Sequence, residues 1–320
     1  MHRTRMHTAA SFYRKSIIEE KERMKAKQRS HGTFEQTLVP LLFLAPNLLI
    51  FSIFIIVPAI MGLRMSFFDW SILEGSRFIG FQNFKNLSHD SMFWLTLKNT
   101  LVYVVAVVPL LTIFALALAL PLSKEDKGMG IFRVIYYIPT MLSMIIVGIS
   151  WRWLLGYDLG IINYVISLAG GKPVPWLTNG TMANISLIFV TVWTRVGYFM
   201  MMFVGGLQAI PATYYEAAKM DGAGKSTIFS RITLPLLSPT ILVVVVLATI
   251  EAFKAYELIF VMTQGGPGTS TKFIVQYIYQ VAFQEDKMGY GAAMSIILLV
   301  IIGIFTALQF SVQKEEYTNE

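Results

Sequence analysis

The sequence predicts an all-α integral membrane protein. Six transmembrane helices occupy residues 38–311, a short helix lies in the cytoplasmic connection between the fourth and fifth, and tails cover 1–37 and 312–320. Three observations predict this. Of 320 residues 55% are hydrophobic and 14% charged, with a mean hydropathy of +0.60; soluble domains run at roughly 45–50% apolar and about 25% charged. Six stretches reach the length of about 20 mainly apolar residues that crosses roughly 30 Å of hydrocarbon: roughly 38–61, 94–121, 131–155, 184–207, 236–260 and 291–311. With the amino terminus inside, 16 Lys and Arg fall on inner segments and 6 on outer ones, so both termini are expected to be cytoplasmic.

The tail 1–37 is basic, and its stretch SFYRKSIIEEKERMKAKQR admits two readings, a helix lying on anionic inner-leaflet lipid or a topogenic tail without fixed structure. The first span is expected to stay as an anchor, since 37 polar and basic residues precede it and no small-x-small cleavage pattern follows Pro58. Pro46, Pro58, Pro109 and Pro139 lie inside spans and predict kinks, not ends. Trp70, Trp94, Trp151, Trp153 and Trp176 fall in outer loops or at outer span ends, as an interfacial belt requires; Trp193 does not.

Composition also excludes chemistry. Without cysteine there are no disulfides or thiolate metal sites. Three of the four histidines precede residue 32, so no intramembrane metal cluster or Ser-His-Asp set is visible, and the basic tail does not read as a nucleic-acid site. Gly224-Lys225-Ser226-Thr227 ends like a nucleotide P-loop, but the motif needs glycine where Lys219 stands. The chain is expected to bind no ATP and no cofactor itself.

The polar segment EAAKMDGAGKSTIFSRITLPLLSP, 216–239, interrupts this apolar sequence. Pro211–Met220 reads as a short helix with Thr213 able to cap it and Asp221-Gly222 as its stop, followed by a second helix ending at Leu234-Pro235. Small residues at 217, 218, 222, 223 and 224 permit close approach of another surface.

Glu216, Ala217, Ala218, Asp221, Gly222 and Ala223, then Phe229, Ile232, Leu234, Pro235 and Pro239, stand at the spacing E-A-A-x-x-D-G-A, five residues, F-x-x-I-x-L-P-x-x-x-P. This resembles the EAA loop of permease subunits in binding-protein-dependent ABC importers. FIGFQNFKNL, FWLTLKNTLVY, FRVIYYIP and TQGGPGTSTKFIVQYIYQVAF running into GYGAAMS are similar to the carbohydrate-uptake group, and to its larger maltose-transporter permease, whose extra periplasmic domain is missing here. The resemblance implies a type I ABC importer permease of a bacterial cytoplasmic membrane, with Glu216 to Ala223 forming a coupling helix. It implies a second homologous permease, two cytoplasmic ATPases carrying ATP and Mg, an extracytoplasmic solute-binding protein and a sugar or oligosaccharide substrate. Glycerol phosphate or a polyol is the alternative cargo, and an ion-coupled secondary transporter the alternative class. The GKST stretch after Ala223 departs from the family's bulkier residues and bears on which ATPase fits.

Spacing supplies candidates for the substrate path. In the fourth span Thr191, Arg195, Tyr198 and Met202 share a helical face, with Trp193 nearby. In the fifth, Glu251 and Lys254 are i, i+3 neighbours, with Tyr256 and Glu257 beyond; in the sixth, Ser295, Thr306 and Gln309 form a stripe. Intramembrane charges at these positions should face a cavity or a partner. Two readings stand: a sugar site built from aromatic faces and hydrogen-bonding groups, or an ion pair of Arg195 or Lys254 with Glu251 locking the two spans together.

Overall fold

The computed structural model describes residues 40–71, 75–124 and 126–318, with side chains to 311. The expected tail 1–37 lies outside the described residues. The chain divides into two units at Arg64 and Met65. In the first, the described residues belong to helix α1 (Pro40–Met65), apolar enough to cross a membrane and carrying exposed Phe43 and Phe54. Within it Ser52–Ile56 widens into a π turn, with the Val57 amide donating to the Ser52 carbonyl. Pro58 follows immediately, so the proline is absorbed by the wider turn and does not end the helix.

The second unit opens with an antiparallel hairpin, β1 (Phe68–Ser71) and β2 (Gly75–Phe78), then α2 (Gln82–Ser88). Helix α3 (Ser91–Leu122) is capped by Asp90, whose carboxylate accepts from the Met92 and Phe93 amides, and it carries Pro109 without interruption. Then come α4 (Met129–Met141), α5 (Met144–Leu154), α6 (Ile161–Leu168) and α7 (Gly180–Gln208), the last capped by Asn179. The remaining helices are α8 (Ala212–Met220), α9 (Lys225–Phe253), α10 (Glu257–Thr263), α11 (Ile274–Tyr279) and α12 (Met288–Thr318). Among the described residues five helices suit a crossing, or six if α4 and α5 together make one.

Three features depart from the sequence expectation. The single span expected over 131–155 is two helices meeting at 93°. Pro139 therefore lies next to an end, because Leu142 and Ser143 are extended and tertiary contacts aim the halves separately. Thr140 Oγ1 donates to the Thr194 carbonyl on α7, while Gly148 of α5 sits against Val261 of α10. The helix expected to stop at Leu234-Pro235 instead continues into the fifth span. Phe229–Thr233 forms another π turn, with the Leu234 amide bonded to Phe229 O directly before Pro235. Last, the fifth span stops at Phe253, before the expected 260; Tyr256, at φ −143° and ψ −61°, turns the backbone before α10 begins.

The core is one apolar cluster centred on α3, α7 and α9, with Val107, Leu187, Phe203 and Val244 fully buried. Glycines set the closest approaches. A Cβ on Gly197 would lie 2.0 Å from the Tyr136 carbonyl oxygen of α4, and one on Gly206 2.5 Å from Thr240 Oγ1 of α9. No larger residue allows these backbones to meet as they do.

Candidate functional site

A cavity of about 340 Å³ opens between α3, α7, α9 and α10. Helix periodicity puts Thr191 and Arg195 on one wall; Glu251 in the last turn of α9, with Lys254, Tyr256 and Glu257 from the break after Phe253, lines another. Arg195 Nε lies 3.4 Å from Glu251 Oε2, joining α7 to α9, and the two side chains keep 30% and 40% of their surface. Tyr103 and Thr191 share a hydroxyl–hydroxyl bond of 2.7 Å beside them. The Tyr256 ring stacks on Phe260 and meets Tyr279 at 5.6 Å.

The other sequence candidates lie elsewhere. Trp193 is exposed and packs edge-on against Trp151, since it stands two residues from Arg195 and so on a different helical face. Tyr198 packs against Phe199 beside the core. Ser295 bonds back to the Gly291 carbonyl of its own helix, and Thr306 does not line the cavity. Gln309 of the same stripe donates to Thr249 Oγ1, tying α12 to α9. Sequence reasoning did not find Tyr103, which sits alone in an apolar run and offers no spacing signal.

Residues 216–220 belong to the exposed helix α8, and 221–223 form its end. Pro211 occupies the N-cap position and no side chain caps the helix, so the expected Thr213 cap does not form. At the other end Gly222 has φ +77°; the Ala223 amide bonds to Ala218 O and the Gly222 amide to Lys219 O. This is a Schellman closure, which explains in physical terms why glycine follows Asp221. Glu216, Ala217 and Asp221 are exposed, Ala223 half-buried and Ala218 buried. Tyr215 OH lies 3.5 Å from Thr233 Oγ1, linking α8 to the π turn of α9.

At the far end of α3 another cluster forms. Asp90 Oδ2 accepts from the hydroxyls of Tyr277 and Tyr290, both at 2.9 Å, while Oδ1 caps α3. Burial alone would raise the Asp90 carboxyl, but bonds from the Phe93 amide, Tyr277, Tyr290 and the Met92 amide outweigh it and hold the group below its ordinary value. Burial, then the bond to Asp90, pushes Tyr277 upward. Asn99 donates to the carbonyls of Thr269 and Lys272, and Thr100 accepts from the Ile274 amide.

Residues 100–315 match the family of binding-protein-dependent transport system inner membrane components. The chain belongs to that family. This permease is 35% identical over 290 residues to the probable ABC transporter permease protein YesP of Bacillus subtilis strain 168, covering 89% of this chain and 93% of YesP. It is 32% identical over 274 residues to the trehalose/maltose transport system permease protein MalF of Thermococcus litoralis, covering 85% and 92%. Among solved structures it resembles a chain of a bacterial ABC transporter involved in import of the acidic polysaccharide alginate, with a TM-score of 0.77 and 24% identity over 90% of this chain and 99% of that one. That likeness speaks to the fold. Its relatives are transport subunits, and this chain is a permease, not an enzyme.

Proposed function

We propose that the chain is one permease subunit of an ATP-driven importer in a bacterial cytoplasmic membrane, moving a sugar or oligosaccharide delivered by an extracytoplasmic binding protein. The observation that carries this is connectivity. Helix α8, with the EAA residues, joins the two helices whose side chains Arg195 and Glu251 meet in the cavity. Helix α7 runs from Arg195 to its end at Gln208 without a break, about 20 Å at 1.5 Å per residue. A push on α8 thus reaches both cavity walls through stiff elements.

In this reading Glu216, Ala217, Ala218, Asp221, Gly222 and Ala223 seat in a cleft of a cytoplasmic ATPase, and both chain termini are cytoplasmic. A second homologous permease completes the pore, and ATP and Mg sit on the paired ATPases. ATP binding draws the coupling helices together and opens the cavity outward; hydrolysis resets it. Binding protein and nucleotide favour the same outward state, so each strengthens the other. The thermococcal relative is named for trehalose and maltose, and the hydroxyls, carboxylates and aromatic faces of the cavity suit a hydroxyl-rich ligand.

The test is uptake by the assembled complex in proteoliposomes. Sugar uptake should require ATP on the ATPase side and survive an uncoupler, and Glu216→Lys should lose sugar-stimulated hydrolysis while still assembling. Uptake that needs no ATPase but collapses with the uncoupler would make the chain an ion-driven carrier.

A further inference from the structure

The cavity holds four side chains that carry formal charge, Arg195, Lys254, Glu251 and Glu257, and these charges cancel. Among the described residues Lys254 and Glu257 form no ion pair, and Arg195 and Glu251 make a thin one: a single Nε to Oε2 contact at 3.4 Å. Guanidinium and carboxylate lock most firmly through two parallel N–H···O bonds. Here the Arg195 Nη groups and Glu251 Oε1 have no partner among the described residues, and both side chains stay open to the cavity they line. A pair built only to hold α7 against α9 would use those atoms.

Resting on the sugar-importer reading above, we propose that Arg195 and Glu251 form a clamp for two adjacent hydroxyls of an uncharged saccharide. Arg195 Nη–H donates to one hydroxyl oxygen, Glu251 Oε1 accepts the proton of its neighbour, and the existing contact holds the two groups side by side. An acidic sugar would add an uncompensated negative charge to a cavity whose four formal charges cancel, whether it met Arg195 or Lys254, and a basic one an uncompensated positive charge. A neutral sugar leaves the charges balanced, which is the least costly way to fill such a site.

The experiment uses the whole complex of both permeases, the ATPases and the binding protein. Uptake of maltose, trehalose, lactose and raffinose identifies the best neutral probe, which is then compared with its mono-uronic acid and mono-deoxy analogues at equal occupancy of the binding protein. Wild type should favour the neutral sugar over the uronate by about tenfold and lose about tenfold when either clamped hydroxyl is removed, the scale of one hydrogen bond to a charged group. The double variant Arg195→Gln/Glu251→Gln strands no charge; it should assemble yet lose both preferences. A double variant that transports and discriminates like wild type would make the pair a structural lock, and a uronate carried as fast as the neutral sugar would also overturn the proposal. If no saccharide is carried, the sugar reading itself falls and the clamp with it; neutral uptake with an indifferent double variant sinks the clamp alone.

Discussion

Helix α8 and the segment 264–290 both connect apolar helices, yet they are held in opposite ways. The segment 264–290 is stitched in from several directions: Asn99 and Thr100 of α3 bond its backbone, Asn184 of α7 reaches the Ser270 carbonyl, and Asp90 gathers Tyr277 and Tyr290. Helix α8 keeps its shape by its own Schellman closure and meets the rest of the permease through Tyr215 and Thr233, leaving Tyr214, Glu216 and Met220 exposed. One connection carries its partners within the chain. The other is a preformed surface, and the proposed ATPase is what would cover it.

The largest effect expected from breaking this contrast is at the stitched end. A Cβ on Gly289 would lie 1.9 Å from the Phe68 carbonyl oxygen, a backbone atom that cannot step aside. Gly289→Ala should abolish recovery of folded complex in size-exclusion chromatography, whereas Gly205→Ala, with nothing within 4 Å, should leave it unchanged. At the exposed end the expected loss is functional. Gly222→Asp puts a side chain at φ +77°, a strain of roughly 1–2 kcal/mol, and a carboxylate on the surface proposed to dock. The complex should form, with sugar-stimulated ATP hydrolysis at least tenfold lower; normal hydrolysis would remove α8 from the coupling role.

A smaller effect sharpens the stitched end. Asp90→Asn weakens four hydrogen bonds to a charged acceptor and should destabilise the purified permease by about 2 kcal/mol in thermal unfolding. Because the folded carboxyl sits below its ordinary 3.8, its contribution is present in full above that value and fades as pH falls through the lower folded one. The gap between wild type and Asp90→Asn should therefore be constant near neutrality and close below pH 3.8. A gap that closes above pH 5 would contradict the direction of that shift.

Much of this was legible in the sequence because lipid imposes it. Apolar length marked the helices, and the i, i+4 repeat of Thr191 and Arg195 with the i, i+3 repeat of Glu251 and Lys254 put four residues where the cavity collects them. The 93° turn between α4 and α5 was not legible, since it depends on Gly197 admitting α4 and Gly148 admitting Val261, contacts distant in sequence. Nor was the break after Phe253: EAFKAYEL contains no glycine or proline, and only the tertiary packing of α10 shows it. The stripe of Ser295, Thr306 and Gln309 illustrates the converse. Its periodicity was real, but Ser295 is satisfied within its helix and Gln309 serves packing, because a polar stripe records a face without saying what it faces. The Asp90 cluster left one faint trace, an aspartate placed to cap the run that begins at Ser91.

The central claim is that α8 is the surface through which an ATPase drives the cavity. The sequence has no cysteine, so Ala217→Cys provides a single thiol on its exposed face. Maleimide labelling of that thiol should be fast in the isolated permease pair, at least tenfold slower once the ATPase is bound, and altered again by ATP together with loaded binding protein. Equal labelling rates in all three states, in a complex that still transports, would contradict the account.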